Sequence, residues 1–242
     1  MKRFSVAVFS VLIGSGVSLG VELEEAAEKL IEAQSKLKSY TANLKSKHQI
    51  SKTMNYDSEG HYEWMRSGDK ILYNQEVHRT GTHDLEGEKM VVKEHRSYLC
   101  DGKNVYMINH ENGNVVKQNY NPDSFESMDT GVIIDQLFMR HSTLTVVKEE
   151  KFEGHECFVL EGVDDWHDEE ESEDNPMITV TKERYWFAKD IGTLIRMAGF
   201  DSKGNEVRVR EYTNIKVNPE IKADRFAYKA PANVNLVDHT ED

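Results

Sequence analysis

Two common signatures of catalysis are missing from this 242-residue sequence. It has no Gly-x-Ser-x-Gly elbow to raise a nucleophilic serine, and no Gly-rich loop to cradle a phosphate. The ten histidines are His48, His61, His78, His83, His95, His110, His141, His155, His167 and His239. None forms the helix-borne pair expected of a zinc enzyme, so no metal site is expected. Carboxylates are so abundant that no catalytic pair stands out. Positive charge is scarce: 30 Lys and Arg face 43 Asp and Glu, a formal net charge of −13 with no basic stripe. That excludes nucleic acid as a main partner, because phosphate binding needs clustered cations. Cysteine is limited to Cys100 and Cys157. Spacing does not decide whether these two close a disulfide or stand as buried thiols on separate strands. A binding protein is therefore expected rather than an enzyme, with no cofactor.

The first twenty residues carry an export pattern. Lys2 and Arg3 precede an apolar run from Phe4 to Ile13, and Ser18-Leu19-Gly20 supplies small residues at a cleavage site. The run is too short to span a bilayer, which takes about 20 apolar residues. Residues 1–20 are expected to be a cleaved signal peptide, which places the mature chain in the periplasm. Loss of Lys2 and Arg3 takes the formal charge from −13 to −15.

The mature part, 21–242, reads as one domain. Leu23, Ala26, Ala27, Leu30 and Leu37 recur at helical steps, with Glu22, Glu24, Glu25, Glu28 and Lys29 facing away. From Tyr40 the period changes to two. Strands are expected around 40–45, 61–66, 70–78, 89–100, 104–110, 115–120, 143–148, 157–161, 178–187, 193–200 and 206–216. Asp101-Gly102, Asn112-Gly113, Glu153-Gly154 and Lys203-Gly204-Asn205 mark tight turns, so neighbouring strands run antiparallel. A second helix is expected at 132–139, where strand alternation fails. Eight of the eleven residues at 164–174 are Asp or Glu, the composition of a solvated loop rather than an EF-hand.

A sheet of this many strands must curl or close. The expected fold class is α+β: a single curled antiparallel β-sheet, an incomplete β-barrel, with helices covering the open side. Such a shell can leave an apolar cavity, with Trp64, Ile71, Tyr73, Val105, Met107, Leu137, Phe138, Met139 and Trp186 as candidate lining. The alternative is that these nine residues pack a dry core.

Several stretches resemble the LolA/LolB superfamily of lipoprotein carriers. They are the acidic helix running into Leu37-Lys38-Ser39-Tyr40-Thr41-Ala42, then Tyr62-Glu63-Trp64-Met65-Arg66, then Cys100-Asp101-Gly102-Lys103-Asn104-Val105-Tyr106. Near the end come Ala223-Asp224-Arg225-Phe226-Ala227-Tyr228 and Pro231-Ala232-Asn233-Val234. The resemblance implies a half-barrel with a helical lid. It implies a monomeric periplasmic carrier of lipoprotein acyl chains or lipids, passing them from an inner-membrane exporter to an outer-membrane acceptor. The superfamily also contains lipid-sensing regulatory domains, and an envelope hydrolase is a third reading. Arg66 falls where the family carries a basic gating residue; a plain strand-end charge is the alternative. The family often places Pro next, where this chain has Ser67-Gly68.

Overall fold

The computed structural model describes residues 21–85, 88–124, 128–163, 177–230 and 234–240. The expected signal peptide (1–20) and the acidic segment (164–174) lie outside them. Helix α1 (Leu23–Ser35) leads into β1 (Ser39–Gln49), β2 (Met54–Ser67), β3 (Lys70–Leu85), β4 (Glu88–Cys100), β5 (Asn104–Asn109) and β6 (Asn114–Asn119). Helix α2 (Thr130–Arg140) follows, then β7 (Thr143–Phe152), β8 (His155–Val163), β9 (Lys182–Ala188), β10 (Thr193–Phe200) and β11 (Glu206–Val217). A 3₁₀ turn (Ala223–Phe226) and β12 (Asn235–Asp238) end the described chain.

The twelve strands among the described residues form one sheet in the order β12-β6-β5-β4-β3-β2-β1-β11-β10-β9-β8-β7. Two meanders, β1–β6 and β7–β11, are joined where β1 pairs with β11. The sheet curls into an incomplete barrel, and both helices pack on its concave face. Pairing is antiparallel except that β12 adds to β6 in parallel. Residues 178–181, expected as strand, make other bonds: Ile178 N–H donates to Ile50 O and Thr181 N–H to Phe200 O.

Strand alternation sets the core. Tyr40, Ala42 and Leu44 on β1 pair with Trp64, Tyr62 and Gly60 on β2. Trp64 in turn pairs with Tyr73 on β3. Tyr40 stacks on Trp64 with ring centroids 5.6 Å apart, and Tyr62 stacks on Tyr73 at 6.4 Å. Helix α1 buries Ala26, Leu30 and Gln34 against this face, and α2 buries Thr130, Ile133, Ile134 and Leu137. Gly192, at φ +61°, sits under α1; a Cβ there would lie 2.0 Å from the Leu30 carbonyl oxygen. Only glycine permits both that backbone and that approach.

A polar staple joins the helices inside this apolar layer. Gln34 Nε2 donates to Met128 O at 2.7 Å, and Thr130 N–H donates to Gln34 Oε1 at 2.8 Å. Thr130 Oγ1 donates to Gly192 O, tying α2 to the β9–β10 turn. Cys100 and Cys157 are both free and buried. Six strands separate β4 from β8 in the sheet, and each Sγ instead donates to a nearby carbonyl, Ile71 O and His155 O. The disulfide alternative is thereby corrected.

Candidate functional site

The concave face has two parts, one covered and one open. Under the helices, Trp64 is 0% exposed, and Ile71, Tyr73, Val105 and Leu137 share its packed cluster. Met107 is partly buried against the same cluster. Of the remaining three expected lining residues, Trp186 belongs to the same buried cluster but on the other side of its strand, and Phe138 and Met139 lie outside it. Phe138 and Met139, 53% and 79% exposed, occupy the solvent side of α2. Trp186 alternates with Tyr185 on β9, so it points to the opposite face of the sheet. There Arg196 lies over its ring, 4.2 Å from the centroid, and its Nε1–H donates to Glu150. Among the described residues, Trp64, Ile71, Tyr73, Val105 and Leu137 are thus packed against one another between sheet and helices. Arg66 is the penultimate residue of β2, with its guanidinium 5.6 Å from the centroid of the Trp64 ring. Its backbone N–H donates to Lys38 O.

Beyond the helices the concave face opens into a basin of about 190 Å³, lined by Leu44, Ser46, Ser58, Gln75, Val77, Arg79, Glu94, Arg96, Tyr98 and Arg210. The register explains why these meet. Leu44, Ser46 and Arg210 lie across the β1–β11 pair, and Val77, Arg79, Arg96 and Glu94 face one another across β3 and β4. The floor is apolar at Leu44 and Val77. Three arginines line the basin against a single glutamate, although the whole chain carries −13. Glu94 pairs with Arg96 at 3.1 Å and with Arg79 at 3.8 Å. Arg210 forms no ion pair among the described residues. His48 pairs in register with Arg208 on β11. Burial lowers its pKa, and the nearby Arg208 and Arg79 charges lower it further. This local positive excess suits an anionic group next to an apolar one.

Between basin and core lies a buried network centred on Glu183, which is 1% exposed. Tyr185 OH donates to Glu183 Oε2 at 2.6 Å, and His141 Nε2 lies 2.8 Å from the same hydroxyl. Arg140, the last residue of α2, reaches Glu183 Oε2 at 2.9 Å, and Arg208 reaches Oε1 at 3.5 Å. Burial, then the Glu183 charge, pushes the Tyr185 phenol far above its ordinary pKa. Glu183 therefore ties the helical cover to the sheet. Sequence reasoning missed both this network and the basin arginines. The period-two placement of Arg208 and Arg210, and of Arg79 two residues after Val77, is the signal that could have found the basin.

No protein-family model matches the chain, and no curated protein matches it in sequence. Solved structures do match. An uncharacterized conserved protein from Thermus thermophilus is 10% identical with a TM-score of 0.50, the match covering 89% of this chain and 98% of the other. MucB is 13% identical with a TM-score of 0.50, covering 86% of this chain and 62% of its own. A LolA superfamily protein from Nitrosomonas europaea is 10% identical with a TM-score of 0.33, covering 86% and 99%. What the chain shares with the first two is the fold: a curled, open antiparallel sheet with helices laid on its concave side.

Proposed function

We propose that this chain is an exported binding protein, not an enzyme, which carries an acyl-bearing lipid or lipoprotein on its concave face within the periplasm. The observation that supports this reading best is the join between an arginine-lined basin and a helix-covered apolar layer on one face. An amphiphile has the matching polarity, with an anionic head for Arg79, Arg96 and Arg210 and a hydrocarbon tail for the layer beyond. The sequence resemblance to the LolA/LolB carriers points the same way and suggests delivery towards the outer membrane. The tail enters only when α2 lifts, because Trp64, Tyr73 and Leu137 are already packed. In this reading Ile71, Val105 and Met107 line the opened space, and Arg66 guards its Trp64 end.

The energetics set a condition. Lifting α2 exposes Ile133, Ile134 and Leu137, costing about 5–9 kcal/mol at roughly 1.5–3 kcal/mol per side chain. Each methylene that takes their place gains about 0.8 kcal/mol. A tail of roughly six to eleven methylenes offsets the opening; shorter ones do not.

A fluorescent fatty-acid probe tests the proposal on the purified mature protein. Saturable binding, displaced by long-chain lipids, is expected. Val77→Asp and Arg210→Glu should each weaken it by roughly tenfold, or about 1.4 kcal/mol. Absence of saturable binding in a protein whose circular dichroism shows an intact sheet overturns the proposal. Co-purification from periplasm then separates two roles: many lipoproteins mark a carrier, one signalling protein marks a sensor.

A further inference from the structure

The convex face of the sheet gathers histidines from three neighbouring strands. His78 on β3 and His95 on β4 are direct register partners, and their rings stack with centroids 4.1 Å apart. His110, just past β5, stacks on the other side of His95 at 4.0 Å. Glu76 lies two residues before His78 and so shares its face. Its Oε1 is 2.8 Å from His95 Nε2 and 3.8 Å from His78 Nε2. One ligand atom from each of Glu76, His78 and His95 falls within 4.8 Å of the other two.

We propose that Glu76, His78 and His95 form a binding site for a divalent transition metal, zinc or a neighbour of it in the first row. The donor chemistry favours this class. Two imidazole nitrogens and one carboxylate suit zinc, copper or nickel, whereas calcium and magnesium take oxygen almost throughout. The spacing fits as well. Bonds of about 2.0–2.1 Å in a tetrahedral shell put ligand atoms about 3.3 Å apart. The observed separations bracket that value, and the side chains are exposed enough to turn towards a common centre. Three protein ligands leave a fourth position for water.

The surroundings keep the imidazoles ready. His95 is held between the His78 and His110 rings, which fixes the plane of its imidazole. Ser97 lies 2.8 Å from His110 Nε2 and orients that outer ring. On the other flank, β2 places His61 opposite Glu76 and Glu59 opposite His78. A neutral imidazole is the form that binds metal.

The test uses the full mature chain, stripped with chelator and titrated with zinc by calorimetry. One equivalent is expected to bind. Glu76→Gln should weaken binding about tenfold or more, and the His78→Ala/His95→Ala pair should abolish it. His239→Ala, remote from the cluster, should leave it unchanged. Affinity should fall as pH drops from 7.5 to 5.5, because protons compete for the rings. Calcium should not displace zinc. Zinc binding that survives in the double variant, or none at all in the folded wild type, overturns the assignment. Neither result touches the concave-face proposal, which lies on the other side of the sheet.

Discussion

Gln34 is a single polar side chain that satisfies two buried backbone groups, the Met128 carbonyl and the Thr130 N–H. Replacing it with alanine strands both inside an apolar layer. At about 1–3 kcal/mol per unsatisfied group, Gln34→Ala should destabilise the fold by roughly 2–6 kcal/mol, read from chemical denaturation. A change below about 1 kcal/mol would mean that water replaces the amide. The two thiols make a different claim. Burial raises both Cys100 and Cys157 to about 11, so little reactive thiolate exists at neutral pH. Two free thiols are expected by intact mass without reductant, and both should react with a thiol reagent only after denaturation. Rapid labelling of the native protein, or a mass two units lower, would contradict the packing. Neither the Gln34 staple nor the free thiols was legible in the sequence. Gln34 looks like any polar helix residue, and two cysteines give no distance. Trp64 and Leu30 were legible because period and bulk alone send them inward.

At the scale of elements, α2 is held at both ends by chemistry that its sequence partly announces. Asp129 caps the N-terminus, its Oδ1 accepting from Gly131 N–H at 3.0 Å and Val132 N–H at 3.3 Å. Asp129→Ala should cost about 1 kcal/mol, and if α2 is the lid it should also speed probe entry in stopped-flow mixing. An unchanged rate would leave the cap structural only. At the other end, His141 lies against Gly162 of β8, where an added Cβ would fall 2.3 Å from the imidazole. Gly162→Ala should therefore push His141 off Tyr185 and lower the melting temperature by several degrees, since a 1–3 kcal/mol overpacking penalty is typical. Both helices and most strands were readable from periodicity. The span of β12 (Asn235–Asp238) was not read as a strand, because four residues added in parallel to an edge carry no alternation of their own. The grouping of Glu76, His78 and His95 was not legible for a related reason. Glu76-Val77-His78 sets its two side chains at strand spacing rather than at the helical spacing of a zinc-enzyme pair, and His95 comes from the next strand.

At the scale of the whole molecule, the two meanders meet at the β1–β11 pair, and the helices close one end of the concave face while leaving the other open. The curl followed from strand number; the order of strands did not, because tight turns specify neighbours within a meander but not how two meanders join. The distribution of charge was equally hidden. A net charge of −13 says nothing of a basin with three arginines and one glutamate until β3, β4 and β11 are set side by side. On the proposed reading, that arrangement makes the opening of α2 a balance between two exchanges. The first is apolar, side chain for methylene. The second is ionic, since an anionic head at Arg210 competes with Glu183 for the adjacent Arg208. Chain length should therefore act as a threshold: fatty acids of six carbons or fewer should fail to bind, and those of fourteen to sixteen should bind saturably, because only the longer ones exceed the roughly six to eleven methylenes needed to offset the exposed lid. Hydrogen exchange reads the same event. With a long-chain ligand bound, amides of Thr130–Arg140 should exchange faster while those of β1 and β2 stay protected. If a long-chain ligand binds and α2 becomes slower to exchange, the tail lies on top of the closed lid rather than beneath it, and the lifting of α2 is refuted.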